Sequence, residues 1–193
     1  MQHEVSRLLS RREGHFALES GHHGSLWLDL ELLFLHPERV RPLAVALSEK
    51  LARHRVGAVC GPLVEGAFVG WMVASELGVP FSYAEQALKS GAQSLFPVGY
   101  RIPDALRSQV RGERVAVVDD VINAGSAVRG TLEDLEACGA VPVAVGTLAI
   151  LGDAAHELVA THAVSFETLA SFPNEIWNPA SCPLCAEGVP LAR

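Results

Sequence analysis

Val115-Ala-Val-Val-Asp-Asp-Val-Ile-Asn-Ala-Gly-Ser-Ala127 is an apolar, β-branched run that ends in two adjacent carboxylates, Asp119 and Asp120, followed by a turn of small residues. An unbroken apolar run of this kind reads as a parallel strand covered on both faces. The turn, Asn123 to Ala127, carries no bulky side chain to shield its backbone N–H groups, and Val128 to Cys138 after it reads as helix. At a helix N-terminus such N–H groups, with the helix dipole behind them, form an anion site. Two carboxylates just upstream would repel a bare phosphate, so they need another partner. Sugar hydroxyls, met directly or through a divalent cation, fit that need. The implied ligand is a sugar phosphate at the carboxyl end of a parallel strand, where open α/β sheets bind ligands.

Outward from this stretch, strands and helices alternate. Val56–Cys60 reads as a short buried strand ending in Gly61-Pro62, and Gly66–Leu77 as the helix after it, stopped by Gly78-Val79-Pro80. Phe81–Ala84, Pro142–Leu151 and His162–Leu169 read as further strands, and residues 156–161 as a short helix. A helix starts at His36-Pro37-Glu38, with Val40, Leu43, Ala44, Leu47 and Leu51 at helical spacing. Nearer the N-terminus, residues 4–13 predict a short amphipathic helix, and His15–Leu35 predicts strands around a turn. Residues 86–112 are rich in Gly, Pro and polar side chains and predict a long loop or β-hairpin. The alternation implies an α/β fold with a central, mostly parallel sheet flanked by helices.

The 193 residues suit one well-cored domain spanning 1–193, and no apolar stretch reaches the roughly 18 residues of a membrane span. Residues 1–14 lack an apolar signal core, so the expected location is the cytoplasm. A net charge of −7 argues against nucleic-acid binding, so any anion must be held by local devices. Four cysteines, at 60, 138, 182 and 185, do not make a secreted disulfide framework in a chain of this size.

The run Asp119-Asp-Val-Ile-Asn-Ala-Gly-Ser-Ala-Val-Arg129 resembles the PRPP-binding motif of the type I phosphoribosyltransferases, in the version of the orotate phosphoribosyltransferases. Other segments carry the resemblance along the chain: His15-Phe-Ala-Leu-Glu-Ser-Gly-His22 with Trp27-Leu-Asp29, Val59-Cys-Gly-Pro-Leu-Val-Glu-Gly-Ala67, Leu77-Gly-Val-Pro-Phe81, and Cys182-Pro-Leu-Cys-Ala-Glu-Gly-Val-Pro-Leu191. The resemblance implies the type I phosphoribosyltransferase fold with a hood at residues 1–35, a mobile catalytic loop within 86–112 and a C-terminal tail at 171–193. It also implies transfer of the phosphoribosyl group of PRPP to orotate, with Mg²⁺, in a homodimer. By the same resemblance, Asp119 and Asp120 would hold the ribose hydroxyls, and Asn123, Ala124, Gly125, Ser126 and Ala127 the 5′-phosphate. Gly61, Pro62, Leu63, Val64, Glu65 and Gly66 would form the pyrophosphate loop, and Lys89 would match the catalytic lysine, the alternative being an ordinary solvated loop lysine.

Departures from the family pattern lean one way. Asn123 stands where Thr is usual, a mild change, because its amide can still donate. Glu65 takes a place where some members carry Lys, and Glu85-Gln86 a place where the family has Arg and Lys. Where the family binds the orotate carboxylate with Arg or a hood Lys, this chain has Leu151-Gly152-Asp153 and Glu19, and the base-binding residues are not assigned. Two alternatives stay open: a PRPP- or nucleotide-binding homologue with a regulatory role, and a phosphoribosyltransferase acting on another base. Cys182-x-x-Cys185 is half a zinc site, and Cys60 and Cys138 lie in other elements. The expectation is a reduced structural pair or a tail-to-body contact, with a zinc site the less favoured reading and no metal-ligating residues assigned. His22 and His23 read as exposed loop histidines, and His54, His156 and His162 show no ligand spacing.

Overall fold

The computed structural model describes residues 2–18, 21–88 and 98–192. In chain order, the elements are α1 (Gln2–Leu8), β1 (Arg11–Ala17), β2 (His23–Leu28), a 3-10 turn at Leu30–Leu35, α2 (Pro37–Ala52), β3 (Ala58–Pro62), α3 (Glu65–Leu77), β4 (Phe81–Leu88), β5 (Val98–Arg101), α4 (Asp104–Val110), β6 (Arg114–Ile122), α5 (Ser126–Ala137), β7 (Val141–Leu151), α6 (Ala154–Thr161), β8 (Ser165–Phe172), β9 (Ile176–Trp177), a 3-10 turn at Pro179–Ser181 and α7 (Pro183–Ala186). Six strands form the main sheet in the order β5-β4-β3-β6-β7-β8, with every neighbouring pair parallel except β4–β5. The α/β architecture expected from the alternation is therefore present.

Strand β6 lies inside this sheet because its side chains are apolar on both faces. Ala116 and Val118 join a core with Leu43, Leu47 and Leu51 of α2 and Val69 and Val73 of α3. Val115 and Val117 join a second core with Leu132 and Leu135 of α5 and Leu158 of α6. Covering both faces leaves one exit for function, the carboxyl edge of the strands, where β6 runs on into Asp119 and Asp120. Among the described residues, no helix is long and apolar enough to cross a membrane.

Four elements differ from the sequence reading. The N-terminal helix stops at Leu8, and the chain enters β1 at Arg11, because β1 pairs antiparallel with β2 from Arg11↔Leu28 to Ala17↔His23. Strand β4 continues four residues past Ala84 and pairs with β5 as a hairpin, so 86–112 holds the hairpin of the two options, followed by α4. That helix had no clear period in the sequence; it is held from outside, where Asp134 of α5 accepts from the Ile102 N–H at 2.8 Å and from Arg107 at 2.9 Å. The last strand is displaced to Ser165–Phe172.

The hood and the tail meet. β1, β2 and β9 form a separate three-stranded sheet, and the C-terminal segment returns across it, with the Ala192 N–H donating to His15 O at 2.7 Å.

Candidate active site

Strand β6 delivers Asp119 and Asp120 to the edge of the sheet, and the β3–α3 connection is pressed against them. A Cβ at Gly66 would run into Asp119 Oδ1, and one at Gly61 would lie 2.7 Å from both Ala67 Cα and Gly66 O. Glycine is thus required at both places by close approach alone. The same approach sets the Gly61–Gly66 loop beside the acids. Pro62 is buried at the end of β3, whereas Leu63 and Val64 are exposed ahead of α3, across a cis Leu63–Val64 peptide.

The two acids differ in environment. Asp119 accepts a hydrogen bond from the Asp120 N–H at 3.0 Å and lines an open pocket. Asp120 is buried, and its Oδ2 has no hydrogen-bond partner. Burial, the main cause, together with the nearby Glu65 charge, pushes its carboxyl up from 3.8 to about 6, against the opposing effect of hydrogen bonds. Three carboxylates converge here, one with an orphaned buried oxygen. Hard, anionic oxygen donors of this kind suit a divalent cation such as Mg²⁺.

Beyond the acids, Gly125 adopts a left-handed conformation (φ 76°) that turns the chain into α5, whose first turn has no side-chain cap. Its leading N–H groups are therefore available to an external anion. The pocket, of about 210 Å³, is lined by Asp119, Val121, Ile122 and Asn123 to Ala127 from the β6–α5 unit, by Leu151 at the end of the neighbouring strand β7, and by Leu18, Leu26, Trp27, Leu28 and Leu30 from the N-terminal segment. Its lining thus combines a carboxylate and a helix start able to bind an anion with apolar and aromatic side chains. Asn123 is fixed by Asn174, whose Nδ2 lies 3.2 Å from Asn123 Oδ1.

The structure thus gathers Asp119 and the whole Asn123–Ala127 turn around one pocket, with Gly61, Gly66, Glu65 and Asp120 beside it. Lys89 and Glu19 lie outside the described residues. The pocket lining among the described residues contains no cation. Sequence reasoning missed the apolar hood wall of Leu18, Leu26, Trp27 and Leu28, although the hood segment around it was legible. It also missed Asn174, which nothing in the local sequence marks. Cys60 is no candidate nucleophile, since burial pushes its thiol up to about 12.

One reading needs correction. His23 is not an exposed loop histidine; it is a buried residue of β2, and together with buried His15 of β1 it faces Cys182 and Cys185. The partners that the Cys-x-x-Cys pair lacked in sequence are histidines of the hood.

Residues 34–182 match the phosphoribosyl transferase domain family. Over 181 residues the chain is 30% identical to the orotate phosphoribosyltransferase of Caldanaerobacter subterraneus subsp. tengcongensis, covering 94% of this chain and 88% of that protein. It is 32% identical to that of Thermotoga maritima over 94% of this chain and 89% of the relative. Among solved structures, orotate phosphoribosyltransferase from Aeropyrum pernix superimposes with a TM-score of 0.64 at 25% identity, covering 84% of this chain and 88% of that one. Adenine phosphoribosyltransferase from Thermoanaerobacter pseudethanolicus gives 0.70 at 19% identity, over 88% and 99%, a likeness of fold.

Proposed function

The chain belongs to the phosphoribosyltransferase family, and from that premise we propose that it transfers the 5-phosphoribosyl group of PRPP to orotate, giving orotidine 5′-phosphate and pyrophosphate. The observation that carries this reading is the single pocket lined by Asp119, by an uncapped helix N-terminus and by apolar side chains of the N-terminal segment. Each part matches one part of the reaction. The N–H groups at the start of α5, with Ser126, hold the 5′-phosphate, and the Gly125 turn lets backbone approach it without a side chain between. Asp119 accepts from the ribose hydroxyls and fixes the sugar. Trp27, with Leu18, Leu28 and Leu151, receives the flat base, and the hood excludes water from it.

In the reaction the ring nitrogen of the base attacks C1 of the ribose, and the C1–O bond breaks with its electron pair leaving on pyrophosphate. Positive charge gathers on the ribose ring oxygen and C1 between these events, so the protein's work is positioning and charge stabilisation. The residues fit a divalent cation: Asp120, whose Oδ2 lacks a partner, and Glu65 offer the oxygen donors. Held there with PRPP, Mg²⁺ would supply positive charge to the departing pyrophosphate. Glu65 in the pyrophosphate loop would then act toward the cation rather than toward the anion, which accounts for an acid in that position. Lys89 supplies a further positive charge. The chain has only two lysines, and Lys50 lies 3.7 Å from Glu167, away from the pocket.

The whole chain, 1–193, works as one unit in this reading, with hood 1–35 and tail 171–193 closing the base side, and it acts in the cytoplasm without nucleic-acid partners. A homodimer is supported by an exposed apolar face of Leu32, Leu35, Phe68 and Trp71, in which the Phe34 and Phe68 rings tie the 3-10 turn to α3 with centroids 5.3 Å apart. Such a face suits a self-complementary contact. A second reading, transfer to another base, is favoured by one observation, the absence of a cation from the described pocket lining.

The test is turnover. Purified protein with PRPP, Mg²⁺ and orotate should consume orotate, followed by its absorbance, and Asp119→Asn should lower the rate at least 100-fold. No turnover with orotate, but turnover with a purine base, would establish the second reading. PRPP binding without turnover on any base would overturn both.

A further inference from the structure

We infer that His15, His23, Cys182 and Cys185 form a structural zinc site that clamps the C-terminal tail to the hood. The four ligand atoms lie within 4.8 Å of one another. His15 Nε2 is 3.4 Å from Cys182 Sγ, 3.7 Å from Cys185 Sγ and 2.9 Å from His23 Nδ1, and Cys185 Sγ is 3.3 Å from His23 Nδ1. With Zn–N bonds of about 2.0–2.1 Å and Zn–S bonds of about 2.3 Å, the edges of a tetrahedral site are roughly 3.3–3.8 Å. Three of the four separations fall at or within that range. The fourth, between the two imidazoles, is the short contact of nitrogens sharing a proton, and an ion that displaces the proton widens it by a few tenths of an ångström.

The chemistry of the donor set selects the metal. Two imidazoles and two thiolates in a tetrahedral arrangement suit zinc and are poor ligands for magnesium or calcium. All four positions come from the protein, so the site is closed and structural. His15 is already oriented for the task. Its Nδ1 lies 2.7 Å from Val189 O, and because a carbonyl can only accept, Nδ1 carries the proton and the Nε2 lone pair faces the cluster. His15, His23 and Cys182 are buried, so an ion would sit inside protein rather than on it, while Cys185 gives access from solvent.

The position matters as much as the chemistry. His15 and His23 are on the paired strands β1 and β2, and Cys182 and Cys185 flank the start of α7, so the ion would join segments separated by 167 residues in sequence. Two backbone contacts already run between them: the Ala192 N–H to His15 O, and the pairing of His23 with Trp177. The same hood carries Leu18, Leu26, Trp27 and Leu28 into the pocket. Zinc would therefore hold the apolar wall of that pocket in place, and the inference stands whether or not orotate is the base.

Metal analysis of the intact protein tests this without reference to activity. The chain, equilibrated with excess zinc under reducing conditions and desalted, should retain one zinc per chain, and Cys185→Ser and His23→Ala should each retain less than a tenth of that. Cobalt(II) added to metal-free protein should give the visible d–d bands and near-ultraviolet thiolate charge-transfer band of a tetrahedral thiolate site, lost in Cys185→Ser. Cys185 is exposed, so that variant folds, as its circular dichroism should confirm. Wild-type protein that retains no zinc, zinc content unchanged in both variants, or a Cys182–Cys185 disulfide in protein isolated under reducing conditions would overturn the inference.

Discussion

Asp120 is where burial and chemistry conflict. A carboxyl held at about 6 in the folded chain, against 3.8 for the free group, binds its proton more tightly folded than unfolded. Below about pH 4 both states are protonated and the residue costs nothing. As the pH rises through 6 the stabilising proton is lost, and above 6 the cost of the buried charge applies in full. Asp120→Asn should therefore raise the melting temperature at pH 7–8, leave it little changed near pH 4, and depress PRPP turnover at every pH. A variant less stable than wild type at pH 8 would contradict the burial argument. The position of this residue at the end of strand β6 was legible in sequence, because an unbroken apolar run that stops at two acids marks the edge of a buried sheet. Its separation from Asp119 in environment was not, because it depends on what α3 lays over it. The zinc ligands show the same limit more strongly. Cys182-x-x-Cys185 was visible as half a site, but His15 and His23 reach it only because the tail crosses the hood, and local spacing carries no trace of that crossing.

At the scale of elements, the strand–turn–helix unit β6–α5 does two things at once: it fills both cores and aims an uncapped helix N-terminus at the pocket. Gly125 is the pivot. Its φ of 76° disfavours any L side chain, and an added Cβ would come within 3.0 Å of Leu158 Cδ2 of α6. Gly125→Ala should lower stability by about 1–2 kcal/mol and weaken PRPP binding at least tenfold, measured by thermal melts and titration on the same preparation. Loss of stability with unchanged PRPP affinity would show that the turn is only a connection. This unit was readable almost to its ends, since an apolar run, a small-residue turn and an amphipathic helix are each locally determined. The N-terminal segment was not. A short period in residues 4–13 suggested helix, but pairing with β2 draws Arg11 onward into a strand, a long-range preference that outweighs local propensity. Helix α4 escaped for a similar reason, since its support comes from Asp134, on another helix.

For the whole molecule, the main sheet supplies the acids and the small-residue turn of the pocket, the N-terminal segment supplies most of its apolar lining, and the C-terminal segment packs against β1 and β2. The match to the family's domain spans 34–182, which takes in the whole six-stranded sheet and leaves β1 and β2 outside it. The overall architecture was legible because strand and helix periods alternate so regularly. The assembled pocket was only half legible, its polar side lying in one continuous stretch and its apolar side folded over from a distant one. Calorimetric titration of the intact protein with PRPP in the presence of Mg²⁺, repeated on Asp119→Asn, tests the central claim that the strand-end acid and the helix start together grip the sugar phosphate. The wild type should bind about one PRPP per chain, and the variant should bind at least tenfold more weakly while keeping its fold. Absence of heat with the wild type, or equal affinity in the variant, would contradict it.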